Sequence, residues 1–228
     1  MNIFIQSMNA AMLLFININW CKTQTVVTNL RIELGIGTAG HSVWSNANTW
    51  EYLCSQVDMD SIIDWMIMES YSTNTDTQQN LRYFRSSELG GRWMFCYYDI
   101  DWGWHYNAQF SHVLSSNFSW QHMGITKNFT ENAEFRQRLL ARLSDLLDTT
   151  LSNENVLARI EYYAQLLEPE VSRERDRWGS SYAAWEGRVQ ELRDFLADGH
   201  LKKMITSLDR FIGLTKEEKE TYFGRWLN

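Results

Sequence analysis

Four oxygen-bearing side chains, Asp76, Asn80, Asp99 and Asp101, stand within one stretch of the chain, residues 71–104. The stretch opens as a polar loop over 72–79 that holds Asp76, and it runs through Asn80 into an apolar segment. It then turns around residues 88–91, and a second apolar run over 92–98 ends abruptly at Asp99 and Asp101. Carboxylates and amides are the ligands that hard divalent cations such as Mg²⁺ prefer. An acid on a loop, an amide just after it and further acids at a strand end can hold such a cation, and with it a nucleotide phosphate. Each residue also has a plainer reading. An Asp in a polar loop is usually a turn former whose side chain bonds nearby backbone N–H groups. Asn80 can cap a strand, and Asp99 and Asp101 can be ordinary strand-end acids. Strand alternation would put those two acids on one face, where adjacent like charges are costly unless paired or metal-bound.

Phosphoryl transfer asks little covalent help of a protein. It needs metal ions across the phosphates, ligands for those ions and a carboxylate near the attacking hydroxyl. Protein kinases arrange these parts in a fixed order: helix, loop Asp, Asn, β-hairpin, metal Asp. The present order is a helix to Tyr71, then Asp76, Asn80, a hairpin and Asp99. Three departures stand out: an Asp-to-Asn gap of four, Asn-Thr-Asp at the loop, and Asp-Ile-Asp at the strand end. Two other readings stay open on the residues alone. One is a kinase-like remnant without catalysis, acting as a binding or structural module. The other is a two-carboxylate hydrolase whose aromatics stack on sugars, which needs its carboxyls at a defined separation across a cleft.

The elements that must position these residues follow from periodicity. Residues 58–71 predict a helix, with Met59, Ile62, Ile63, Met66 and Ile67 at helical spacing and Asp58 or Asp60 as its cap. A short helix is expected over 48–57. Strands are expected over 81–84 and 93–98, joined at Gly90-Gly91. Upstream, the β-branched run 25–34 predicts a strand leading into Gly35-Ile36-Gly37-Thr38-Ala39-Gly40. That G-x-G-x-x-G match lacks a βαβ unit or a lysine-bearing strand behind it, and it reads as a glycine loop alone. Residues 106–130 form a long polar-aromatic segment of the kind used as a lid or binding loop. Beyond Glu131 the pattern is helical. Phe135, Leu139, Leu143, Leu146 and Leu147 line one helix, and Ile160, Tyr163, Leu166 and Leu167 a second that Pro169 ends or kinks. Trp185, Val189, Leu192, Phe195 and Leu196 line a third helix, and Thr215 to Glu218 form a capping box that opens a last short one. The charges from Arg173 to Arg177 read as a solvated face.

Composition sets the outer limits. The 228 residues carry 21 Lys and Arg against 28 Asp and Glu, a net charge of −7, so a basic nucleic-acid footprint is missing. Eleven Trp, ten Tyr and eleven Phe argue for an aromatic-rich core. Cys21, Cys54 and Cys96 are scattered, and buried small hydrophobes are expected rather than a disulfide framework or metal cluster. The apolar run 10–16 is too short to span a membrane and has no basic residue before it, so neither a membrane span nor a signal peptide is read there. Two N-x-S/T sequons, at Asn117 and Asn128, read as chance matches.

At Val57 to Trp65, at Asn74-Thr75-Asp76 with Asn80, and at Gly91-Arg92-Trp93 leading to Asp99-Ile100-Asp101, the chain resembles the CotH-type (spore coat protein H) atypical kinases. Further echoes occur at Asn132 to Arg136, Leu167 to Glu170 and Asp176 to Trp178, so the likeness spans roughly residues 44–200. The resemblance implies an α+β fold: a protein-kinase-like carboxy-terminal lobe over 44–228, with a β-hairpin active-site stretch followed by a helical region. It expects the amino-terminal lobe to be largely missing, with residues 1–43 a remnant of a β-rich lobe in a truncated chain. It implies an ATP- and Mg²⁺- or Mn²⁺-dependent transferase acting on protein Ser or Thr. Carried over by motif, Asp76 is the catalytic aspartate and Asp99 the metal-binding aspartate. Asn80 is a second metal ligand, and Asp101 belongs to the metal motif without a separate role. The lysine and glutamate that grip the nucleotide in the family find no counterpart in 1–43, so the nucleotide contacts stay unassigned. The family is often associated with the bacterial spore coat or cell surface, and localisation is otherwise unknown.

Overall fold

Helix α2 (Met59–Tyr71) is apolar on nearly every side, and a helix of that kind has to be surrounded. Met59, Ile62, Ile63, Trp65, Met66, Ile67 and Tyr71 are all buried. The computed structural model describes residues 47–77, 80, 82–104, 110–114, 129–197 and 199–227. The expected strand over 25–34, the glycine loop 35–40, the segment 1–43, Cys21, Leu81, the sequon residues Asn117 and Asn128 and most of the 106–130 segment lie outside the described residues. Helix α1 (Ala47–Gln56) precedes α2 and buries Trp50 and Leu53. Asp58 caps α2, its side chain accepting the Ser61 N–H at 3.0 Å.

A β-hairpin packs on the first half of α2. Strand β1 (Arg82–Arg85) pairs antiparallel with β2 (Trp93–Cys96), Arg82 opposite Cys96 and Arg85 opposite Trp93. The expected Gly-Gly turn is present: Gly90 and Gly91 take φ of 84° and 70°, conformations that glycine reaches without a Cβ penalty. Three contacts fasten the hairpin to the start of α2. The Asp58 N–H donates to Trp93 O at 2.8 Å, Phe95 N–H to Ser61 Oγ at 2.9 Å, and Arg92 pairs with Asp58 at 2.7 Å. Strand β2 ends at Cys96 instead of continuing to Tyr98, since Cys96 faces Arg82, the first residue of β1; beyond it Asp99 takes a φ of 54°.

The remainder is helical: α3 (Ser111–Leu114), α4 (Ala133–Asp148), α5 (Asn153–Leu167), α6 (Val171–Trp178), α7 (Tyr182–Ala197) and α8 (His200–Ile212). A closing helical run follows through α9 (Lys216–Glu218), a π turn (Lys219–Phe223) and α10 (Gly224–Leu227). With a two-stranded antiparallel sheet and helices elsewhere, the described residues form an α+β arrangement. Helix α4 buries the expected face, Phe135, Leu139, Leu143, Leu146 and Leu147, against α2. Its outer side reaches back to α2 through Arg138–Asp60 at 2.6 Å and Arg142–Asp64 at 2.7 Å. The face of α5 differs from expectation. Ile160 and Ala164 are buried toward α7, while Leu166 is 56% exposed. The i, i+4 pair that ends in a small Ala sets the contact, and Leu166 lies off that line. Helix α8 was not anticipated, although Leu201, Met204, Ile205 and Leu208 recur at helical spacing and all are buried. The capping box at Thr215 forms as expected, and Arg136 locks its Glu218 in a fork with N–O distances of 2.6 and 2.8 Å. Among the described residues no helix is long and apolar enough to cross a membrane.

Candidate functional site

The loop that carries Asp76 is built on the end of α2. Ser72 N–H closes the last turn onto Met68 O at 3.0 Å, and Thr73 then swings the chain with φ of 54°. Asn74 N–H returns to Glu69 O at 3.1 Å, while the Asn74 side-chain oxygen accepts the Asp76 N–H at 3.1 Å. The turn-forming role open to Asp76 therefore belongs to Asn74. The Asp76 carboxylate is left to face Asn80, whose Nδ2 donates to Asp76 Oδ2 at 3.0 Å.

Asn80 does more than cap a strand. The same Nδ2 reaches the backbone oxygen of Asp99 at 3.4 Å, so one amide spans the loop and the segment beyond β2. Its own oxygen remains a donor for a cation. The Asp99 segment is clasped to the loop from the other side. Trp104 N–H donates to Ser72 O at 2.6 Å, Gly103 N–H donates to Ile100 O at 2.9 Å, and Ile100 is buried beneath. Gly103 is required by close approach: a Cβ there would lie 2.8 Å from Ser72 O and 3.1 Å from Ile100 O.

The structure thus brings Asp76, Asn80 and Asp99 together. Alternation along a strand does not place Asp101 beside Asp99, since β2 has already ended, yet the two still feel each other. Burial raises the Asp99 carboxyl above its usual range, and the charges of Asp101 and Asp76 raise it further, with Arg82 opposing. The Asp99 carboxylate, under the charge of its acidic neighbours, and the nearby Asn80 amide oxygen are oxygen ligands of the kind a hard cation takes. Among the described residues no three His, Cys, Asp or Glu side chains converge into a metal-holding group by themselves. Mg²⁺ typically takes only one or two carboxylates and fills its sphere with water and substrate phosphate, so the residues present fit it.

Below the loop lies a polar layer that the sequence reading passed over. Glu69 is 2% exposed, and its Oε2 accepts Asn74 Nδ2 at 2.8 Å and Thr77 Oγ1 at 3.1 Å. Burial pushes its carboxyl up to about 7, with hydrogen bonds from Asn74, Thr77 and Trp65 pulling the other way. The signal was an acid in the middle of the buried Met66 to Tyr71 run. A cavity of about 440 Å³ lies elsewhere, between α5 and α7; Glu161, Tyr182, Trp185 and Arg193 are among its lining, and none of the four predicted site residues is. Asp58, Asp60 and Asp64, from the first matching segment, act as ion-pair partners of Arg92, Arg138 and Arg142. Cys54 and Cys96 are free thiols, half-buried rather than fully enclosed.

Comparison with known proteins adds one match. A family model described as CotH kinase protein matches residues 38–200. No curated protein and no solved structure matches the chain.

Proposed function

The chain belongs to the CotH kinase protein family, and from that premise we propose that it transfers the γ-phosphoryl group of ATP to Ser or Thr hydroxyls of a protein substrate. In this reading residues 44–228 form the protein-kinase-like carboxy-terminal lobe. The observation that carries it is the Asn80 amide joining the Asp76 carboxylate to the Asp99 backbone. That contact supports the reading because it draws the Asp76 loop to the backbone of Asp99 across the hairpin.

Asp76 is the group that accepts the proton of the attacking hydroxyl. Its free oxygen is presented by the Asn74 turn, while Asn80 holds the other. Asp99, Asp101 and the Asn80 side-chain oxygen would hold Mg²⁺ or Mn²⁺. The cation would supply charge neutralisation across the ATP phosphates. Without it the repulsion that raises Asp99 is unrelieved. Such neutralisation also eases the approach of a polyphosphate to a protein of net charge −7.

Calorimetry with Mg-ATP and Mn-ATP tests the reading directly. Binding is expected for the native chain and for Asp76→Asn, and its loss for Asp99→Ala. Phosphoryl transfer by Asp76→Asn is expected to fall about 10²- to 10⁴-fold, the range for removal of a general base. A folded native chain that binds neither complex would overturn the kinase and leave a non-catalytic binding module.

A further inference from the structure

We propose that Glu69 is a positioning residue of the candidate active site, holding the 72–77 loop from beneath and aiming Asp76 through Asn74. An acid on the buried side of an apolar helix is costly unless its oxygens are satisfied. The loop supplies two of the Glu69 partners, Asn74 Nδ2 at 2.8 Å and Thr77 Oγ1 at 3.1 Å, both on Oε2. Its backbone oxygen adds two more ties, from Asn74 N–H at 3.1 Å and Ser72 Oγ at 3.3 Å.

The geometry leaves Asn74 one orientation. With its NH₂ turned down to the Glu69 carboxyl, its Oδ1 must face outward, where it takes the Asp76 N–H at 3.1 Å. Flipping that amide would break both contacts at once. Glu69 thus braces the loop of Asp76 through both its carboxylate and its backbone oxygen.

The catalytic consequence rests on the kinase reading, so the test carries two readouts on the full chain. Amide hydrogen exchange at Asp76 needs no turnover. Glu69→Met fills a similar volume but offers only a weak thioether acceptor in place of the carboxylate, and it is expected to speed Asp76 exchange about 10-fold. Glu69→Gln keeps an acceptor oxygen and is expected to restore most of the protection. Thr77→Val, which removes only the second donor, should give a smaller rise and decides the matter if Glu69→Met does not fold. The second readout is phosphoryl transfer from Mg-ATP, where Glu69→Met should lower kcat about 10-fold and leave the KM for ATP unchanged. Loosened exchange in a chain whose native form transfers no phosphate would sink the kinase and keep the brace. Equal Asp76 exchange in the native chain and the folded variants would overturn the brace, whatever the turnover.

Discussion

The side-chain amide of Asn80 sits 3.0 Å from Asp76 Oδ2, and the same nitrogen lies 3.4 Å from the backbone oxygen of Asp99. One residue therefore ties the loop after α2 to the segment after β2. Asn80→Ala removes the donor that orients Asp76 and an oxygen offered to the cation. Metal affinity should fall about 10- to 100-fold, the usual cost of losing a partner that orients a metal site. Asn80→Asp loses the same donor but keeps an oxygen ligand and adds negative charge, so it should hold the cation more tightly than Asn80→Ala. A manganese titration of both variants checks the order; equal affinity in Asn80→Ala and the native chain would refute it.

Asp99 holds a strained backbone as well as a charge. Its φ of 54° lies in the left-handed region, where a side chain costs about 1–2 kcal/mol. Asp99→Gly relieves that cost and part of the repulsion from Asp101 and Asp76. Thermal unfolding should show the variant about 1 kcal/mol more stable than the native chain, while calorimetry shows its metal binding gone. A less stable Asp99→Gly protein would mean that the side chain contributes more to the fold than its strain takes away.

Much of this arrangement was legible because it is local. Asp58 before an apolar helix, Gly90-Gly91 between two aromatic runs, and Thr215 three residues ahead of Glu218 are cap and turn signals that need no tertiary partner. The order of Asp76, Asn80 and Asp99 was likewise readable, and the fold joins them. Three features were not. That Asn74 rather than Asp76 makes the turn depends on Glu69, which is buried from a different element. Strand β2 stops at Cys96, where its partner β1 begins, and the left-handed turn at Asp99 comes only after it. Leu166 fits helical periodicity, yet it faces solvent because α7 packs on Ala164. Each of these is settled by which surfaces meet, not by spacing along the chain.

Gly103 is the hinge pin of the clasp between the two halves. An added Cβ would meet Ser72 O at 2.8 Å and Ile100 O at 3.1 Å, both backbone atoms that cannot rotate aside. Gly103→Ala should therefore part the segments and break the 2.6 Å bond from Trp104 N–H to Ser72 O. Overpacking of this kind costs about 1–3 kcal/mol. Denaturant unfolding should show that loss, and metal affinity should drop with it because Asp99 moves from Asn80. An unchanged midpoint would refute the contact.

Glu69 and His200 titrate in opposition, and their windows overlap. Burial lifts Glu69 from 4.5 to about 7, so the folded protein keeps a proton that the unfolded chain releases. Its stabilising effect is complete below pH 4.5 and is lost as the pH rises through 7, a change of roughly 3 kcal/mol. His200 is wedged between Phe195, at 4.2 Å between ring centres, and Tyr71, at 4.7 Å. Burial drives it from 6.5 down to about 4, against a backbone hydrogen bond at Tyr71, so the folded protein keeps it neutral. The unfolded chain takes up that proton below pH 6.5, and stability falls from there down to pH 4 by a similar amount. Glu218, held near 2 by Arg136, adds loss only below 4.5. Between pH 4.5 and 6.5 the two buried groups therefore cancel, and the native melting temperature should be nearly flat. Glu69→Gln removes one limb, so its melting temperature should climb with pH across that window. His200→Phe keeps the ring stack and removes the other limb, so its melting temperature should decline with pH up to about 7. Profiles of native and variant proteins that run parallel from pH 4.5 to 7 would show that neither buried group titrates as its surroundings require.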